Sequence, residues 1–397
     1  ARTFTHFMTE EKFNVVILDV ADFKLINGTY GTKKGNEVLV YLSNAFRYYV
    51  KNGLLTRYEG DQLLGLFHSK VKMDVERINR NINKIAEEAP IPNIRIKVGI
   101  YEDVDTNLSI PIICDRALMA EKSISKDFKT NVAFYTDELN QKQLAQRQME
   151  NDFKSAIVNR EFKVYYQPKY DVNTENIVGA EALVRWQKTD GTLISPGAFI
   201  PLFESDGLVV HLDEYVFESV CQFQKERMEN KLEIVPISVN LSRASIHFSD
   251  VVERYVDIVN QKQIPFECVP IELTESATLY SEKILEITDQ LVNAGFTLHM
   301  DDFGSGYSSL ITLSELPFNT LKIDKSLVDC IHQQKGRMVV QQVIILAHGL
   351  GMKVVAEGVE TADQLELLKE MECDNIQGFY YSRPLPKAEF VKKSEEN

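Results

Sequence analysis

The sequence predicts an α/β protein of two domains, a mixed α/β domain followed by an eight-stranded α/β barrel. Three observations carry this expectation. The chain has 397 residues, more than one hydrophobic core usually serves. Its second part repeats a short β-rich run eight times, most runs separated by helix-like stretches, which is the rhythm of a barrel whose strands are covered on both faces. Between the parts lies DELNQKQLAQRQMENDFKSAIVNREF, polar and free of Gly and Pro, with Met149, Phe153 and Ile157 on one helical stride.

The elements follow in order. NVVILDV and RIKVGIY read as strands of the first domain, and GNEVLVYLSNAFRYYV repeats apolar residues at helical spacing. The expected limits are residues 1–137 for this domain, 138–160 for a connecting helix and 161–397 for the barrel. The eight strand-like runs are FKVYYQP, IVGAEALVRW, PISVNLS, VPIELTE, FTLHMDD, TLKIDKS, KVVAEGVE and DNIQGFYYS. Stretches such as DEYVFESVCQFQKERM and MVVQQVIILAHGL supply helices between them.

Bulk composition narrows the function classes. Hydrophobic content of 44% and charged content of 26% are those of a globular protein. A net charge of −14 argues against a polymeric nucleic-acid partner, whose footprint is a Lys/Arg stripe. Five widely spaced cysteines without a C-x-x-C pair read as reduced thiols, so the expected compartment is the cytoplasm. No apolar run reaches membrane-spanning length. The abrupt opening ARTFTHF leaves room for an upstream sensor or membrane segment.

Polar residues fall where apolar strands should reject them. Glu181, Asn240, Glu272, Asp301, Lys322, Glu357 and Gln377 each lie in or at the end of a different strand-like run, and barrel strand ends converge on one mouth. Taken singly, each acid fits a solvated loop residue, Lys322 a salt-bridge partner and Arg185 a surface charge; their recurrence on successive strands points to a site. Several carboxylates within a few ångströms need positive charge between them. All-oxygen donors select Mg²⁺ or Mn²⁺ over zinc or copper. Adjacent Asp301 and Asp302 would serve two neighbouring metals, with Asp301 bridging, an arrangement suited to displacement at phosphorus. His299 shares the strand face of Asp301 and receives no role.

These residues also carry a family resemblance. EALVRW from Glu181, together with YYQP, VNLS, ELTES, DDFGSGYSSL, LKIDKS, AEGVET and QGFYYSRPL, resembles the EAL family of cyclic-di-GMP phosphodiesterases. An ordered set over about 235 residues is specific where a lone Glu-Ala-Leu is not. The resemblance implies a modified barrel with one antiparallel strand, and hydrolysis of cyclic-di-GMP to linear pGpG. It implies Glu181, Asn240, Glu272 and Asp301 as ligands of one metal and Asp301 and Asp302 at a second. Glu357 would be the general base or anchor of the reacting water, and Lys322 its lysine contact. Gln167, Arg185 and Gln377 would bind substrate. Glu275 would hold the Gly/Ser loop that couples metal, substrate and a homodimer partner. Departures are few: Arg383 stands where lysine is commoner, and His299 and Met300 where smaller or aliphatic residues are usual. The alternative is a non-catalytic cyclic-di-GMP receptor or scaffold.

The first part resembles a GGDEF diguanylate cyclase domain with losses. LDVADFKLINGTYGTKKGNEVL matches the opening strand and helix, and RYEGDQLLGLF stands at the signature hairpin. Asp19 and Asp61 match metal-binding acids and Asn27 a guanine contact, as a vestigial GTP site. Glu59 replaces the first signature glycine, Gln62 the fourth-position acid, Asn36 a guanine-reading aspartate and Thr32 a histidine. The allosteric R-x-x-D window reads VKNG, and only RTF remains of the N-terminal LTGLxN helix. An inactive cyclase is therefore expected, serving either as a GTP-sensing regulator or as a spacer.

Overall fold

β-Branched and aliphatic runs form the strands, and amphipathic stretches cover them. The computed structural model describes residues 12–49, 53–68, 73–124, 130–248, 250–278, 282–306 and 310–396. The chain divides into two units at Gln148/Met149, inside the helix Asp137–Val158. The VKNG window and the RTF opening lie at least partly outside the described residues.

The first unit is a five-stranded sheet: β1 Phe13–Val20, β2 Leu54–Arg57, β3 Leu63–His68, β4 Ile96–Tyr101 and β5 Val132–Phe134, in the order β2-β3-β1-β4-β5. Central β1 is antiparallel to both neighbours. Its alternating side chains feed two cores. Val16, Leu18 and Val20 pack with Val38, Leu42 and Ile82, while Phe13, Val15 and Ile17 pack with Leu66, Ile113 and Ala117. Both faces are buried, which explains an unbroken apolar run rather than a half-polar one.

The second unit holds β6 Phe162–Asp171, β7 Ile177–Gln187, β8 Leu193–Ile194, β9 Ile237–Asn240, β10 Ile271–Thr274, β11 Leu298–Phe303, β12 Thr320–Ile323, β13 Lys353–Glu357, β14 Asn375–Gln377 and β15 Leu385–Pro386. Eight of these close a barrel in the order β6-β7-β9-β10-β11-β12-β13-β14, with β6 returning to β14. Each of the eight sequence runs supplies one barrel strand. β6 is antiparallel to β7 and β14, and the remaining neighbours are parallel. That is the expected barrel with one reversed strand. An aromatic cluster of Phe153, Phe162, Trp186, Phe199 and Phe203 fastens helices to β6 and β7. Among the described residues, no helix is long and apolar enough to cross a membrane.

Arg227, only 1% exposed, ties the helix Val209–Glu229 to the last helix, Lys387–Glu395. Its Nε donates to Glu233 O at 3.1 Å, its second terminal nitrogen donates to the same oxygen, and the other donates to Ser394 Oγ at 3.1 Å. The guanidinium also lies over the rings of Phe223 and Phe390. Arg227→Ala removes these hydrogen bonds and ring contacts and opens a cavity, so urea denaturation is expected to register a loss of about 3 kcal/mol.

Candidate functional site

Strand register gathers the polar residues. Gln167 pairs with Glu181 across β6–β7, Glu272 with Asn240 across β9–β10, Thr274 with Asp301 across β10–β11, and Glu357 with Gln377 across β13–β14. Barrels of this kind are usually filled by branched apolar side chains. Here Gln167, Lys169, Glu181, Ser238, Glu272, Asp301, Lys322 and Gln377 are all buried.

Lys322 Nζ, wholly buried, is the hub. It lies 2.7 Å from Glu272 Oε2, 2.8 Å from Asp301 Oδ1, 2.8 Å from Glu357 Oε1 and 3.2 Å from Glu181 Oε2. An ammonium has three protons to donate, so four carboxylates oversubscribe it. Asn240 Nδ2 donates to Glu181 Oε1 at 3.0 Å, leaving its carbonyl oxygen available. Gln377 Nε2 donates to Glu181 Oε2 at 2.7 Å and to Gln167 Oε1 at 3.2 Å.

Neighbouring residues on a strand point to opposite faces, so an adjacent acid pair should split. Two features prevent this. The β11–β12 register shifts between Met300 and Phe303, and Asp302 adopts φ 58°, a left-handed conformation uncommon outside glycine. Such bulges re-aim side chains beside sites. Asp302 thereby joins Asp301 and Glu357 in one cluster. Gly304 follows at φ 96°, where a Cβ would lie 2.3 Å from Leu327 Cδ1; only glycine serves. Its N–H donates to Glu275 Oε2 at 3.2 Å. Tyr307, Ser308 and Ser309 of the Gly/Ser loop lie outside the described residues.

Charge is unbalanced here. Burial raises Asp301 well above the usual carboxylate range; Lys322 opposes this, while Glu357, Glu272 and Glu181 add to it. Burial also raises Asp302, and pushes Glu357 up to about 7 against the opposing pull of Lys322. For Glu272, burial is the largest influence, but Lys169, Lys322 and His299 outweigh it and hold the group well below its ordinary range. Lys322 stays charged because its four acids overcome the burial cost.

Among the described residues, two carboxylate groups could each hold a metal: Glu181, Glu272 and Asp301, and Asp301, Asp302 and Glu357, with one oxygen per residue all within 4.8 Å. Asp301 belongs to both. The donor set fits a hard divalent cation. The buried Gln377 Oε1, which has no hydrogen-bond partner, supplies a further oxygen at its edge. Metal loading must displace protons held by the raised acids. Mn²⁺ affinity is therefore expected to weaken as pH falls through about 7, with proton release seen by titration calorimetry in buffers of different ionisation enthalpy.

A cavity of about 650 Å³ opens beside this cluster, lined among others by Arg185, Asn240, Ser242, Arg243 and His247. Arg185 donates to Val184 O and lies over the Tyr165 ring. Asp213, also on the wall, accepts from Ser242 N–H and Ser245 Oγ and braces the turn after Asn240. Sequence reasoning missed Asp213, which lies in a helix, and Lys169. The latter was within reach: it is two residues beyond Gln167 on one strand, so it shares that residue's inward face.

His299 sits below Asp301 on β11, its Nδ1 3.4 Å from Glu272 Oε1; burial lowers its pKa, favouring the neutral ring. In the first unit, Asp19 is the penultimate residue of β1, and Asp61 lies in the β2–β3 turn with its pKa raised by burial and then by Asp19. Asn27 folds its side-chain oxygen over Gly35. Glu121, not anticipated, is buried between them and Lys97, and is pushed up to about 7 by burial and Asp19.

A family model described as "EAL domain" matches residues 150–384, more than half of the chain. This chain belongs to the EAL domain family. A second model, "Diguanylate cyclase, GGDEF domain", matches residues 2–124. The chain is similar to the signaling protein YkoW of Bacillus subtilis, 30% identical over 95% of this chain and 49% of that protein. It is also similar to the "Bifunctional diguanylate cyclase/cyclic di-GMP phosphodiesterase MucR" of Pseudomonas aeruginosa, 29% identical over 95% of this chain and 56% of that one. Among solved structures, "PaMucR Phosphodiesterase, c-di-GMP complex" is 33% identical with a TM-score of 0.58, covering 61% of this chain and 99% of its own. The GGDEF–EAL chain spans about half the length of these curated relatives.

Proposed function

We propose that this GGDEF–EAL chain is a metal-dependent cyclic-di-GMP phosphodiesterase that opens one phosphodiester bond to give pGpG. The observation that carries the reading is the pair of carboxylate groups sharing Asp301. Glu181, Asn240, Glu272 and Asp301 would hold one Mg²⁺ or Mn²⁺, and Asp301 and Asp302 a second, with Glu357 beside it. When bound, such ions neutralise charge on the phosphoryl group and activate water. Glu357, whose carboxyl burial pushes up from its ordinary value against the pull of Lys322, suits acceptance of a proton from the attacking water. Lys322 holds the acids in register and opposes developing negative charge. Arg185, Gln167 and Gln377 line or adjoin the dinucleotide's place, and a 650 Å³ cavity falls within the roughly 300–1,000 Å³ of small-molecule sites. Glu275 fixes the start of the loop through Gly304, and the loop would couple the site to substrate and a second copy of the barrel.

The GGDEF domain is proposed to lack cyclase activity. Glu59 and Gln62 stand in the signature turn, and Glu121 adds a buried acid near the half-buried Asp19 and Asp61. The domain limits 1–137, 138–160 and 161–397 belong to the same proposal. Incubation with GTP is expected to give no dinucleotide; GTP either changes turnover through Asn27, Asp19 and Asp61, or leaves it unchanged if the domain is a spacer.

The test is chromatography of purified protein with cyclic-di-GMP and Mn²⁺. Accumulating pGpG is expected. Tight binding of the dinucleotide with no pGpG would instead establish a receptor.

A further inference from the structure

We infer that Lys169 is a positioning residue that limits Glu272 to one metal-facing oxygen and so sets the site's preference against large cations. This rests on the metal reading above. Lys169 is buried on the reversed strand β6, and its Nζ donates to Glu272 Oε1 at 2.7 Å and to Ser238 Oγ at 2.7 Å. Ser238 Oγ in turn donates to Ala180 O at 3.2 Å, beside Glu181. His299 Nδ1 faces the same Oε1 at 3.4 Å. Glu272 is fully buried, and its other oxygen, Oε2, points to Lys322 and the acid cluster.

A second polar layer therefore lies under the first, built from Lys169, Ser238 and His299, and it engages one side of one carboxylate. The functional consequence is a matter of donor count. Mg²⁺ and Mn²⁺ suit near-octahedral sites with single-oxygen carboxylates, whereas Ca²⁺ takes six to eight oxygens and often grips a carboxylate through both. With Oε1 occupied, Glu272 cannot offer both. Lys169 is a fixed pair matched to one acid, unlike the oversubscribed Lys322, so it has no reason to leave when a cation enters.

Ca²⁺ competition against Mn²⁺, read from the free-Mn²⁺ paramagnetic resonance signal, tests this without catalysis. In Lys169→Met, the ratio of Ca²⁺ to Mn²⁺ affinity is expected to rise about tenfold, since Oε1 loses its closest and charged partner and keeps only the longer contact to His299. Lys169→Gln, which loses the charge but keeps a donor, is expected to fall between. Loss of charge alone would tighten both ions together and leave the ratio unchanged, and an unchanged ratio in both variants overturns the inference. Should either variant not fold, a Mn²⁺-loaded wild-type crystal decides: Glu272 bound through one oxygen with Lys169 on the other supports the assignment, and chelation through both with Lys169 displaced refutes it. Wild-type protein that binds no Mn²⁺ would defeat the metal reading itself.

Discussion

Asp301→Asn is expected to lower cyclic-di-GMP hydrolysis about 10⁴-fold while leaving the barrel folded. Asp301 is the one residue common to both carboxylate groups, so its loss weakens both cation sites at once. Shared-metal charge stabilisation is worth several kcal/mol in such reactions, and each 1.36 kcal/mol is a factor of about ten in rate. Asparagine keeps the shape but not the charge. The substitution also removes an acid that burial holds above its ordinary range, so the metal-free protein should be no less stable. Rates of pGpG formation, with thermal denaturation in chelator as the control, check both halves. Activity within tenfold of wild type would remove Asp301 from the bridging role.

Lys322→Met should produce the largest stability effect, and one that metal reverses. The ammonium compensates Glu181, Glu272, Asp301 and Glu357, all in a fully buried setting on its own side. Breaking such an arrangement typically costs about 3–5 kcal/mol. Without the lysine the acids must take up protons, so the folded state binds more protons than the unfolded one and the loss grows as pH rises. Mn²⁺ is expected to restore much of the stability, because a cation can replace the missing charge. Urea titrations in chelator and in Mn²⁺, at pH 6 and pH 8, measure this. An equal midpoint shift with and without Mn²⁺ would show that lysine and metal do not share the same acids.

The barrel was legible because its signals are local and repeated. Eight apolar runs interrupted by polar residues gave eight strands, and strands covered on both faces leave little room for another reading. The site was legible for the same reason: Glu181, Asn240, Glu272, Asp301, Lys322, Glu357 and Gln377 stand out against apolar neighbours. What escaped depended on direction rather than composition. Lys169 lies one residue beyond the FKVYYQP run, and its inward aim follows only from counting alternate residues from Gln167. The placing of Asp302 on the same side as Asp301 required a bulge and a left-handed backbone, neither of which adjacent aspartates announce. Glu121 sits in an ordinary helical pattern, and its approach to Asp19 depends on how that helix packs on β1 and β4.

The most direct measurement is the number and location of Mn²⁺ ions bound to the isolated protein, by equilibrium dialysis and anomalous diffraction. Two ions are expected in the barrel mouth, one contacting Glu181, Glu272 and Asp301, the other Asp301 and Asp302, with both depleted in Asp301→Asn. Saturating Mn²⁺ that left those oxygens without a metal, or binding indifferent to Asp301→Asn, would contradict the two-ion site.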